Sequence, residues 1–199
     1  MNGAAPSALE EEDRARANFY GLIARLFYRA PDDQVLAGIL HADPFGDPAS
    51  EIAQAWQQMA AASRKAYPVQ LEDEHTTLFV GTGKAEVTPY LSHYVLAHTI
   101  DNPLVDLRQR LAQWGISRRA EVTEPEDHVA ALCEAMRFII AVQQRSLQDQ
   151  EGFFHQFIYR GACAFCDAVS ASPKARFYLP VARFTRAFIE IEHEAFGID

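Results

Sequence analysis

Basic residues are in the minority: 18 Lys and Arg stand against 27 Asp and Glu in 199 residues, a formal net charge of -9. That balance excludes nucleic acid and anionic membrane as main partners, since both are met by basic patches, and leaves room for a basic peptide. Cysteine is scarce and odd in number, three in all, so no disulfide framework forms and a reducing compartment is expected. No stretch approaches the ~18 consecutive apolar residues that span a membrane. Beyond Leu9 the chain reads Glu10-Glu11-Glu12-Asp13, without the apolar core of a secretory leader. These absences predict a cytoplasmic protein. Strand-like alternation, internal repeats and low-complexity tracts are missing as well. At 49% apolar and 23% charged residues the chain is too apolar for disorder. Its length predicts one domain over 1–199, or two closely packed halves sharing a core.

What is present is helical period. Phe19, Leu22, Ile23, Leu26 and Phe27 recur at i, i+3, i+4, i+7 and i+8, one apolar stripe that stops at Pro31. A short helix is predicted over 33–40, and Ile52, Trp56, Met59, Ala60 and Ser63 mark another. Leu71, His75, Leu78 and Phe79 give a shorter one. The pattern breaks over 80–91 and resumes at Leu104, Leu107 and Leu111, with Gly115 suited to a left-handed cap. Residues 117–123, with Arg118 and Arg119, read as a connection or a hinge. Thr123-Glu124-Pro125-Glu126 predicts a capping box opening a helix with Val129, Leu132, Cys133, Met136, Ile139 and Ile140 on one face. On such a helix His128 flanks the stripe and Asp127 turns outward. One further helix is expected over about 153–169, and a last one near Pro180 with Val181, Phe184, Phe188, Ile191 and Ala195 inward. The fold class is all-α.

Three motifs carry weak chemistry. Gly81-Thr82-Gly83-Lys84 lacks the first glycine and the final hydroxyl of a phosphate loop, and reads as a tight turn. Cys163-Ala164-Phe165-Cys166 sits mid-helix without a second pair, so buried packing thiols are favoured over a redox or zinc site. Two Glu-x-x-His pairs, Glu72/His75 and Glu190/His193, raise a di-metal helical-bundle enzyme. Glu190 and His193 lie off the apolar stripe and are expected to face solvent, which removes half of the required geometry.

Two groups are more concentrated. Pro89-Tyr90-Leu91-Ser92-His93-Tyr94 reads either as a buried loop re-entering a helix with Ser92 as its cap, or as an aromatic wall of a groove. In Glu124-Pro125-Glu126-Asp127-His128 the acids suit a helix first turn, which leaves His128 as a candidate ligand contact.

Taken in this order, these groups resemble the TorD/DmsD/NarJ superfamily of redox-enzyme maturation chaperones. Leu78-Phe79-Val80-Gly81 is similar to its Leu-Phe-x-Gly segment, and Pro89-Tyr90-x-Ser92-x-Tyr94 to its Pro-aromatic-x-Ser-x-Tyr loop. Glu124-Pro125-x-Asp127-His128, followed by Leu132 and Met136, resembles the family's Glu-Pro-x-Asp-His hinge and its helix. Phe177-Tyr178, Arg186-Ala187-Phe188 and Glu192 resemble its final helix. The chain departs from the pattern at Phe157 and Gly161, where a histidine and a tryptophan are usual, and at His75, where an aromatic is common.

The resemblance implies an all-α domain of about eight to ten helices, with two helical halves joined near residues 115–125. It implies a binding protein without catalytic activity or a permanently bound cofactor, the molybdopterin belonging to the client. Such chaperones hold the apo catalytic subunit of a molybdoenzyme, often through its twin-arginine signal peptide. The implied client or leader contacts are Tyr90, Ser92, Tyr94, Glu124, Pro125, Asp127 and His128. The Pro-Tyr-Leu-Ser-His-Tyr wording is nearest to formate-dehydrogenase-associated members. The molecule is expected as a monomer or a helix-exchanged dimer. Besides the di-metal enzyme, a permanent structural subunit of a redox complex is the other alternative.

Overall fold

The computed structural model describes residues 9–81, 83–95, 102–118 and 124–197. Among them every regular element is a helix, and the sole extended pairing is one isolated antiparallel bridge between Tyr90 and His128. In chain order the helices are α1 (Glu11–Tyr28), α2 (Asp33–His41), α3 (Glu51–Ser63), α4 (Pro68–His75), α5 (Ser92–Val95), α6 (Pro103–Gln113), α7 (Val129–Ala141), α8 (Leu147–Phe153), α9 (Tyr159–Ala171) and α10 (Tyr178–Phe196). Two π-helical turns, Thr76–Val80 and Phe154–Ile158, extend α4 and join α8 to α9. The second of these divides the helix expected over 153–169.

Local chemistry sets many of the boundaries. Asp32, Ser50, Asn102 and Ser146 each cap a helix by accepting a backbone N–H with the side-chain oxygen. Gly115 ends α6 at φ +67°, the left-handed value that glycine adopts without steric cost. Gly81 follows the first π-turn at φ +68°, and a Cβ there would sit 2.3 Å from the Lys84 carbonyl oxygen. The Gly81-to-Lys84 segment is therefore a turn that only glycine fits, with Thr82 outside the described residues.

The two halves joined near residues 115–125 share one core, because α1 packs along α7 while α10 packs against α3 and α9. The stripe of α7 is as expected, with Val129, Met136, Ile139 and Ile140 fully buried. Phe27, Phe79, Phe165 and Tyr178 form an aromatic cluster of edge-to-face and tilted pairs with centroids 4.9 to 5.9 Å apart. His75 joins them, edge-on to Phe79 at 5.3 Å. Its imidazole thus fills an aromatic's place, its Nε2 lies 3.3 Å from the Phe27 carbonyl oxygen, and burial keeps its pKa below the usual range.

The last helix corrects one expectation. Ile191 is 44% exposed and Ala195 faces solvent, while Glu192 is buried. Glu192 receives a two-pronged contact from Arg16 at 2.8 and 3.0 Å and a third bond from the Tyr20 hydroxyl at 3.0 Å. Arg16 also reaches Asp13 and Gln150. A carboxylate can occupy the inner face here because the guanidinium arrives from a distant helix, α1, to satisfy it.

Cys163 is half-buried, Cys133 and Cys166 are buried, and all three are free thiols. Burial pushes Cys133 up to about 12 and Cys163 up to about 11, and raises Cys166 as well. They remain protonated packing groups.

Candidate functional site

The loop after Gly81 is drawn back onto the core by Val87 N–H donating to the Leu78 carbonyl at 2.8 Å. It then runs beside the turn at 124–128. Leu91 N–H donates to the Asp127 carbonyl at 2.9 Å, and Val129 N–H to the Pro89 carbonyl at 2.9 Å. Side chains repeat the tie: the Tyr90 hydroxyl donates to Glu124 at 2.5 Å, and the Ser92 hydroxyl donates to Asp127. The Tyr90 ring stands edge-on to His128 at 5.6 Å. On the far side Leu91 presses on α9 at Gly161, where a Cβ would meet Leu91 Cβ at 2.8 Å. Glycine at this position lets the loop come that close.

Two expectations about the turn are corrected. Thr123 lies outside the described residues, and α7 begins later, at Val129, with His128 as its cap. Nδ1 of His128 accepts the Ala130 N–H at 3.1 Å. Asp127, expected to face outward, is 6% exposed. Both follow from one cause: residues 124–128 form a turn, with His128 N–H donating to the Pro125 carbonyl at 3.2 Å. Helical spacing does not apply to it, and the side chain of Asp127 meets Ser92. Ser92 begins α5 but gives its hydroxyl to Asp127.

Burial, opposed by the nearby charges of Glu124 and Asp127, lowers His128 to about 4. The ring is neutral, and with Nδ1 accepting, its proton sits on Nε2. Burial, then the bond to Glu124, raises Tyr90 to about 12. Burial also raises Tyr94 to about 12. Glu126 is held below the usual carboxylate range: burial works against its charge, but a backbone N–H and Arg108 at 2.8 Å outweigh it, with Arg118 at 3.9 Å. Arg119 lies outside the described residues.

Beside this hinge runs a groove of about 1020 Å³ between α1 and α7, bounded by the end of α6 and the residues after it. Its lining includes small residues, Gly21 and Ala24 of α1 and Ala130, Ala131 and Ala135 of α7, together with Leu111, Ile116, Phe138 and Tyr28. Of the residues predicted for the site, Glu124 and His128 line the groove. Tyr90, Ser92 and Asp127 hold those two in place without lining it. Pro125 supplies a turn carbonyl, and Tyr94 bonds the Thr88 carbonyl at 2.8 Å with its ring 6.3 Å from Phe165. Sequence reasoning missed Gly21, Ala24, Glu134 and Arg137. The only signal of Gly21 and Ala24 is small size beside an apolar stripe, that of Glu134 and Arg137 is an i,i+3 charge pair, and nothing in the sequence pairs the two helices.

The Glu-x-x-His pairs do not converge. Glu72 is exposed, whereas His75 is spent on the Phe27 carbonyl. Glu190 and His193 are half-buried, not solvated: Glu190 binds Tyr159 at 3.1 Å and Arg186 at 2.8 Å, and His193 stacks on Tyr159 at 4.0 Å. Among the described residues no three His, Cys, Asp or Glu side chains come together as metal donors, and no helix is long and apolar enough to cross a membrane.

An all-helical fold whose paired loops buttress a groove between two helices defines a class of binding protein. Residues 45–167 match the family described as the nitrate reductase delta subunit, and the chain belongs to that family. Over 203 residues it is 25% identical to the chaperone protein TorD of Shewanella loihica, covering 93% of this chain and 94% of the relative. The TorD chaperone of Photobacterium profundum is 24% identical over 141 residues, 65% of each chain. In fold it is similar to the crystal structure of an Archaeoglobus fulgidus protein assigned to redox enzyme maturation. That likeness has a TM-score of 0.54 and 18% identity, and covers 95% of this chain and 99% of the other. The chain is a maturation chaperone of this family, not an enzyme.

Proposed function

We propose that this protein is a cytoplasmic chaperone that holds the apo catalytic subunit of a molybdoenzyme until molybdopterin is inserted, gripping the client's twin-arginine leader where it has one. The cofactor stays with the client, and a formate dehydrogenase is the first candidate to try. The observation that supports this reading is the division of labour at the hinge. Glu124 and His128 line a groove whose walls carry apolar and small side chains among charged ones, while Tyr90, Ser92 and Asp127 fix them from behind. An apolar groove takes a peptide's hydrophobic segment. The Nε2–H of His128 is a fixed donor for a peptide carbonyl. The carboxylate of Glu124 is bound by a neutral phenol, which leaves its charge available to a guanidinium.

The test is a pull-down of the full chain from its native cell, joined to deletion of its gene. A molybdoenzyme catalytic subunit is expected to co-purify, and its activity to fall on deletion. Failure of both sinks the reading. A partner that stays bound after cofactor loading, seen by size-exclusion chromatography, would make the protein a permanent subunit instead.

A further inference from the structure

The loop between α2 and α3 carries two prolines and a glycine, and it holds itself in shape. Ala49 N–H donates to the Asp47 carboxylate at 2.8 Å, and the Ser50 N–H and hydroxyl both donate to the Asp47 carbonyl, at 2.9 and 2.6 Å. The loop thereby sets Phe45 onto the core, its ring centroid 5.2 Å from that of Phe19 and 5.3 Å from that of Trp56. Trp56 in turn stands edge-on to Phe184 of α10 at 5.3 Å. Yet the loop does not close on the two helices. A cavity of about 370 Å³ remains between it, α2 and α3.

The lining of this cavity is sharply divided. Ile39, Phe45 and Trp56 make apolar walls, and Ala60 leaves room where a longer side chain would fill it. The side-chain polar groups are those of Gln57 and Arg64, both exposed, and no acid lines the cavity. With 27 acids against 18 bases, a guanidinium in this chain has carboxylates in excess to meet. Among the described residues the side chain of Arg64 nonetheless has no ion-pair or hydrogen-bond partner. An apolar chamber beside an unpaired cation, with no carboxylate competing for it, is complementary to a ligand of opposite design: an apolar body ending in one negative charge.

We propose that the cavity binds a small amphipathic carboxylic acid. Its ring or short aliphatic chain lies against Ile39, Phe45 and Trp56, and its carboxylate meets the guanidinium fork of Arg64. The volume is near the lower end of the ~300–1,000 Å³ of small-molecule sites, so one ring or one short chain fills it and the ligand is a free acid, not the end of a protein chain. A neutral amide of the same body keeps the apolar contact and loses the charge-assisted pair. The site shares no residue with the groove between α1 and α7, and it stands or falls independently of the chaperone reading.

The test uses the full chain with phenylbutyrate, octanoate and the amide of each. Affinities are read by calorimetry for wild type, Arg64→Gln and Ala60→Leu, with circular dichroism confirming helical content. At least one acid is expected to bind wild type about tenfold more tightly than its amide, a preference that Arg64→Gln erases by weakening the acid alone. Ala60→Leu, which fills the chamber, should abolish both. The chain has two tryptophans, so Trp114→Phe leaves Trp56 as the reporter, and the acid should shift its emission. The site is overturned if neither acid binds at millimolar concentration, if Arg64→Gln binds them as well as wild type does, or if binding leaves Trp56 emission unchanged. A short peptide ending in a phenylalanine carboxylate that binds more tightly than phenylbutyrate would overturn the free acid as its ligand.

Discussion

Two polar clusters stand in this all-helical protein, and they are built on opposite rules. At one end of the core Arg16, Glu192 and Tyr20 form a knot between α1 and α10, in which a carboxylate 2% exposed as a residue is cancelled by a guanidinium. At the hinge, Glu124 and Asp127 are held by the hydroxyls of Tyr90 and Ser92. Hydroxyls satisfy lone pairs without cancelling charge, and the guanidinium groups at the hinge, Arg108 and Arg118, go to Glu126 instead. The first arrangement fastens two helices by charge pairing; the second fixes two loops by hydroxyl bonds. A buried polar residue is thus informative about function only once its partner is known.

Four experiments would break or sharpen that contrast. Glu192→Ala leaves Arg16 without its buried counter-charge and is expected to lower stability by about 3–5 kcal/mol. Urea melts measure that loss, and client capture per folded molecule should be unchanged. A parallel loss of capture would mean that the knot also serves the site. Asp127→Ala orphans the Ser92 hydroxyl and is expected to lower stability by about 1–3 kcal/mol. Here the larger effect is on capture in a pull-down, which should fail although the chain remains helical. If capture survives, Asp127 is structural.

The third concerns pH. His128 titrates near 4 when folded, against an ordinary value of 6.5, and His75 shifts the same way. The unfolded chain therefore binds protons that the folded one refuses, so stability is full above pH 6.5 and declines as the pH falls toward 4. Between pH 7 and 5, His128 should account for a loss of about 2 kcal/mol, seen as a lower melting temperature. His128→Asn should flatten that slope, and an unchanged slope would refute the buried neutral ring. The smallest effect separates cap from contact. His128→Ala is expected to lose about 1 kcal/mol that His128→Asn restores, because asparagine caps a helix well. Neither supplies a donor at the position of Nε2, so neither should recover capture; recovery by asparagine would reduce His128 to a cap.

How far the sequence could be read follows the same division. The stripe Ile23, Leu26, Phe27 and that of α7 declare themselves because period is local and every member of a stripe is within a few turns of the next. Glu192 could not be read as buried, since Arg16, its partner, is on the opposite end of the chain and period favours Ile191 instead. Asp127 was read outward for a related reason. Acids followed by an apolar stripe look like a helix first turn, and only Ser92, far upstream, reveals that the segment is a turn aimed inward. The family resemblance picks out the residues of the hinge as a group, whereas their separation into those that line the groove and those that brace it depends on tertiary contacts. The groove itself was illegible: glycine and alanine at Gly21, Ala24 and Ala131 carry no pattern until two helices are laid side by side.

The pairing of α1 with α7 also governs when this protein becomes competent. One wall of the groove is made from Glu11–Tyr28 and the other from Val129–Ala141, and pairings so distant along the chain form late and slowly. During synthesis the first helix has no groove partner until α7 has left the ribosome, and Arg16 waits longer still for Glu192. On the proposed reading of the groove, a copy that stops short of α7 lacks one wall of the client site, whereas one that stops short of α10 has both walls but lacks the Arg16–Glu192 knot.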